Sequence, residues 1–174
     1  MEFTSDFESD VSTTTLEDYE DESITIFGSS FTIVDAYTDS TNYDDVTLTL
    51  MSGPIQDTLE QGETKTYTLN GKDYEITPTY IGGTTTEVMF TINGETTDKM
   101  AEGDTYKLAD GTEIGVRNLF EEEAGEVSAD MVEFYLGATK IVLEDTNITA
   151  DGTGEQNLEV GGEDIDDAVV QISG

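Results

Sequence analysis

Hydrophobic and polar residues alternate with a period of two along most of this chain. Ser23-Ile24-Thr25-Ile26-Phe27, then Gly28-Ser29, then Phe31-Thr32-Ile33-Val34-Asp35-Ala36 reads as a hairpin, apolar on one face and Thr-rich on the other. Val46-Thr47-Leu48-Thr49-Leu50 repeats the alternation and stops at Ser52-Gly53-Pro54. The clearest hairpin joins Thr64–Leu69 to Lys72–Ile76 through Asn70-Gly71. That dipeptide suits a two-residue turn whose central residues both need positive φ. Tyr67 and Leu69 then share the buried face with Tyr74 and Ile76. Pro78 lacks a ladder donor, so the second strand is expected at an edge or with a bulge there.

A second Asn-Gly pair, Asn93-Gly94, follows Val88, Phe90 and Ile92, again spaced by two. Asp110-Gly111 divides Tyr106–Leu108 from Ile114–Val116, and Gly137-Ala138 divides Met131–Leu136 from Thr139–Leu143. Asn157–Val160 and Ala168–Ile172 are predicted as the last strands. Only Leu119–Ala124 has the makings of a helical turn. About ten short strands with turn residues between them predict an all-β fold, an antiparallel Ig-like β-sandwich. Residues 1–22 form an acidic N-terminal segment expected to lack fixed structure, and 23–174 the sandwich region, as one module or as two dividing near 53–63.

Charge changes what this fold has to tolerate. Forty Asp and Glu against six Lys and Arg give 174 residues a formal charge of -34. A globule of this mass exposes roughly 8,000 Å², so net charges sit about 15 Å apart. Screening lengths are ~10 Å at 0.1 M salt and ~3 Å at 1 M. Repulsion of that order competes with a folding free energy of ~5–15 kcal/mol, which favours folding where salt or divalent cations are abundant. Such a surface repels phosphate backbones and anionic lipid, so neither nucleic acid nor membrane is expected as a partner. No apolar run is long enough to cross a bilayer, and no basic-then-apolar start marks a signal peptide, so an exported native protein would contain this chain as a fragment.

The chain has no His and no Cys. The commonest general base, the thiol nucleophile and every thiolate metal site are therefore missing, and no Walker pattern is present. A non-enzymatic protein that requires no cofactor is the expectation. Carboxylates are the remaining chemistry, clustered at Asp18–Glu22, Asp44-Asp45, Glu121–Glu123 and Glu163–Asp167. Hard cations such as Ca²⁺ take six to eight oxygens, and loop carboxylates supply them. The densest loop makes Glu163, Asp164, Asp166 and Asp167 the candidate ligands for Ca²⁺ or another divalent cation. Asp145–Gln156 is no EF-hand, because Ala150 stands where Gly is needed and Gln156 where Glu is. Asn147-Ile148-Thr149 is the only Asn-x-Ser/Thr sequon, which makes Asn147 the candidate glycosylation site.

Residues from about Gly62 to Leu143 resemble the Asp- and Thr-rich surface-layer (S-layer) proteins of archaea. The resembling phrases are Gly62–Tyr67 leading to Asn70–Tyr74, Asn93–Thr96, Leu108–Val116 and Val132–Ala138. The earlier Ile24–Gly28 with Phe31–Val34 is similar to that family's recurring strand-Gly-strand opening. The resemblance implies β-sandwich modules, export to the cell surface, self-association in a two-dimensional lattice, and no catalytic residues. A domain that contacts another cell's surface proteins is the alternative reading.

Overall fold

The computed structural model describes residues 16–26, 28–38, 45–121, 129–148, 156–166 and 168–172. It is an all-β protein with three antiparallel sheets. The chain divides into two compact units: Met1–Leu50 with Ile141–Gly174, and Met51–Lys140. It enters the second unit just ahead of the stretch 53–63 and returns to the first after Lys140, close behind the Gly137-Ala138 turn.

The first unit is built on one six-stranded sheet, in the order β1 (Ser23–Ile26), β2 (Ser29–Thr38), β3 (Val46–Ser52), β12 (Thr139–Asp145), β13 (Gln156–Val160), β14 (Glu163–Asp164). Its core gathers Ile24, Phe31, Ile33, Ala36, Val46, Leu48, Leu50 and Ile141. Leu16, Tyr19, Ile148 and Ile172 close over that core from outside the strands. The acidic segment expected to be unstructured through residue 22 is thus folded in from Leu16 onward. Leu16 N–H donates to Ala36 O, a 3-10 turn covers Glu17–Tyr19, and Asp21 N–H donates to Ile33 O. Two apolar anchors and these ladder bonds outweigh the local charge. In β3 both faces are enclosed, since Thr47 and Thr49 are buried along with Val46, Leu48 and Leu50.

The second unit is a sandwich. One sheet runs β4 (Ile55–Glu60), β11 (Met131–Leu136), β10 (Glu113–Phe120), β9 (Thr105–Lys107). The other runs β5 (Lys65–Leu69), β6 (Lys72–Gly82), β7 (Glu87–Ile92), β8 (Glu95–Thr96). Alternate residues from both sheets meet between them: Leu59, Ile114, Val116, Val132, Phe134 and Leu136 against Tyr67, Tyr74, Ile76, Val88, Phe90 and Ile92. Phe134 receives Tyr67 and Phe90 edge-on, each ring centroid 5.7 Å away. Pro78 sits in β6, which is interior to its sheet, and the β6–β7 register shifts between Pro78 and Tyr80. Of the two alternatives for Pro78, the bulge is the one observed.

Two expected elements differ. Leu119 and Phe120 finish β10 rather than starting a helical turn, because they pair with Val132 and Met131, while 122–124 of the expected turn lie outside the described residues. Ala168–Ile172 has strand composition but belongs to no sheet.

Candidate functional site

Period-two spacing places Lys and Tyr two apart on the same face of a strand. This happens twice, on paired strands: Lys65 and Tyr67 on β5, Lys72 and Tyr74 on β6, with Tyr67 opposite Tyr74. Each pair meets an aspartate, one from a strand of the opposing sheet and one from a turn between two of its strands. Asp57 on β4 pairs with Lys65, and its Oδ2 accepts the Tyr67 hydroxyl proton at 3.0 Å. Asp110, in the turn before β10, pairs with Lys72, and its Oδ2 accepts from the Tyr74 hydroxyl at 2.8 Å. A third cluster joins Lys99 Nζ to Glu87 Oε2 at 2.7 Å, with the ammonium 5.0 Å from the centre of the Tyr80 ring.

Each of the first two clusters acts as a clip across the sandwich mouth. The Lys65 ammonium beside Asp57 holds that carboxyl below the usual range, and Lys72 does the same to Asp110 more strongly. Burial, then the bond to Asp57, pushes the Tyr67 phenol far up, so it stays a donor. Lys72 is raised in turn by Asp110, and Lys99 by Glu87. An ammonium so paired is a poor base and a poor nucleophile. The clips are suited to holding sheets together.

Arg117 and Glu133 form the most enclosed ion pair, their side chains each 17% exposed, and Gln56 Nε2 donates to the other Glu133 oxygen at 2.6 Å. With Lys107 near Glu113 at 3.9 Å, five of the six basic residues form ion pairs among the described residues. All six lie in 51–140 together with 18 of the 40 acids; the other unit carries 22 acids and no Lys or Arg.

Among the described residues of that cation-free unit, one carboxylate is buried. Asp145 ends β12 at 1% exposure. Its Oδ1 accepts Asn147 N–H at 3.0 Å and its Oδ2 accepts Ile172 N–H at 2.9 Å. The bond to Ile172 fastens the strandless C-terminal stretch, whose Ile172 packs on the core. In the sequence Asp145 stands out only as the first residue of the rejected calcium loop. The missed signal was parity, since Ile141, Leu143 and Asp145 share one face.

The candidate cation ligands are not drawn to one point. Glu163 and Asp164 are consecutive in β14, so their side chains leave opposite faces. Asp164 Oδ1 accepts from Asn157 Nδ2 at 3.2 Å, Asp166 is exposed in the following turn, and Asp167 lies outside the described residues. Among the described residues no group of three or more acids is arranged to hold a metal ion. Asn147 follows β12 in a half-buried position, while Thr149 of its sequon lies outside the described residues. Asp44 and Glu122-Glu123 fall there too. No described helix is long and apolar enough to cross a membrane. In comparisons with known families, curated proteins and solved structures, nothing matches this chain.

Proposed function

We propose that this chain is a non-enzymatic structural module of a cell-surface coat, of the archaeal S-layer kind, which self-associates in a lattice bridged by divalent cations. The observation that supports this reading is the disposition of charge on the β scaffold. Every basic residue belongs to the second unit and five are engaged in ion pairs, so few positive groups are left to offer a neighbouring copy. Two such surfaces approach only if cations from solution lie between them, and Ca²⁺ or Mg²⁺ bridges carboxylates where Na⁺ merely screens them. The clipped sandwich supplies rigidity.

The test is assembly at fixed ionic strength. Light scattering and electron microscopy should show ordered, concentration-dependent arrays with millimolar CaCl₂ and none with NaCl alone. Monodisperse protein in both conditions would overturn the lattice reading.

A further inference from the structure

Two Asn-Gly turns in this molecule form a matched pair. Leu69-Asn70-Gly71-Lys72 closes β5–β6 and Ile92-Asn93-Gly94-Glu95 closes β7–β8, each a two-residue loop between register partners. Their backbones agree closely, with φ of 52° and 81° in the first and 51° and 87° in the second. Both asparagines are exposed, and a Cβ added to either glycine would meet nothing within 4 Å. The Asn-Gly dipeptide and turn backbone are thus shared and both asparagines are open to solvent, although Lys72 follows one turn and Glu95 the other.

The side-chain amides differ. Asn93 is clamped to β6: its Oδ1 accepts Glu75 N–H at 2.8 Å, its Nδ2 donates to Asp73 O at 2.9 Å, and its own N–H donates to Glu75 O at 3.0 Å. No hydrogen bond is made by the Asn70 amide among the described residues.

We propose that Asn70 is a site of spontaneous succinimide formation, and that the clamp spares Asn93 the same chemistry. The Gly71 backbone nitrogen, losing its proton to solvent base, attacks Asn70 Cγ. The new C–N bond closes a five-membered imide, the Cγ–Nδ2 bond breaks, and ammonia leaves. Water then opens the imide at either carbonyl, giving aspartate or isoaspartate at position 70, with no change of oxidation state. Glycine is the permissive neighbour because no Cβ obstructs the ring. Attack requires the Asn70–Gly71 peptide to swing out of the left-handed turn with its amide carbon free to follow. At Asn93 that swing first breaks two side-chain hydrogen bonds. Isoaspartate would add a backbone carbon to a turn that allows only two residues, loosening the Leu69–Lys72 register, and either product adds a negative charge beside Asp73.

Tryptic cleavage separates the two sites, Asn70 in Thr66–Lys72 and Asn93 in Asp73–Lys99. The full chain is incubated folded in mildly alkaline buffer, and in parallel in denaturant, then mapped by mass spectrometry with isoaspartate methyltransferase labelling. In the folded protein the Asn70 peptide should convert about tenfold to a hundredfold faster than the Asn93 peptide, the equivalent of two ordinary intramolecular hydrogen bonds. In denaturant the two rates should fall within about threefold, since both sites are then Asn-Gly after a branched aliphatic residue in an open chain. Equal rates in the folded protein, an unreactive Asn70, or the same ratio in denaturant would each overturn the proposal.

Discussion

Salt should act on the two units unequally, and the size of the difference follows from where the basic residues lie. With roughly 5,000 Å² of surface per unit from area scaling, 22 unbalanced charges stand about 15 Å apart and a net 12 about 20 Å apart. In water two charges at 15 Å repel by ~0.3 kcal/mol unscreened, and by ~0.06 kcal/mol at 0.1 M salt. Six neighbours each then give the cation-free unit ~4 kcal/mol of repulsion, against ~1 kcal/mol for the unit that holds the basic residues. At 1 M both fall below ~0.2 kcal/mol. The first figure is comparable with the whole stability of a small domain.

Hydrogen exchange followed from 0.1 to 1 M KCl reads the two units separately in one sample. Protection of β2, β3 and β12 should rise by up to ~10³-fold, whereas β6, β7, β10 and β11 should gain about fivefold. Salt also strengthens apolar burial, but that acts on both units alike. The contrast between units is therefore the electrostatic part. A parallel rise in both, or no rise in either, would refute the reasoning.

Removing Arg117 as Arg117→Met leaves Glu133 enclosed without its partner. This should cost about 2–4 kcal/mol in urea unfolding, and a loss below about 0.5 kcal/mol would mean the pair is solvated in solution. Asp110 has a depressed carboxyl in the folded state, so its stabilisation is present above the unfolded value near pH 3.9 and is lost as pH falls through the folded one. The stability gap between wild type and Asp110→Asn should accordingly be full at neutral pH and shrink in urea titrations at progressively lower pH; a gap unchanged into strong acid would contradict the clip. Gly115 lies under Met51, with Ala138 Cβ only 3.1 Å from where a side chain would begin. Gly115→Ala should lower stability by about 1–3 kcal/mol through overpacking, and a neutral result by calorimetry would show that Met51 moves freely. Asp145→Ala orphans the Ile172 and Asn147 amides, so a loss of about 2–4 kcal/mol is expected, with Ile172 exchange rising to the rate of a free chain end.

Most strands could be read from the sequence because their information is local. Period two sets the buried face of β7 through Val88, Phe90 and Ile92, and Asn-Gly fixes two turns and with them two registers. Ala168–Ile172 shows where that reasoning stops. Its composition suits a strand, yet a ladder needs a partner edge, and β13 is already paired with β14. The insertion of 51–140 was equally invisible, because the adjacency of β3 and β12 joins residues about ninety positions apart that carry no mutual mark.

The chemical features divide along the same line. Lys-x-Tyr on two neighbouring strands is visible in the sequence, and period two alone puts each pair on one face. Its meaning depends on Asp57 and Asp110, which arrive from the other sheet and one of its turns. Forty acids make any particular Lys–Asp match unpredictable, since nearly every lysine has many candidates nearby in sequence. The same excess misleads when acids are counted in runs. Glu163–Asp167 is dense, but strand pleat splits its first two members, whereas Asp145, outside any such run, carries two backbone bonds at the end of a core strand. In so acidic a chain, density follows composition and burial reveals selection of place. A carboxylate kept from water in a unit without one basic side chain must be satisfied by neutral donors, and at Asp145 two backbone N–H groups do so.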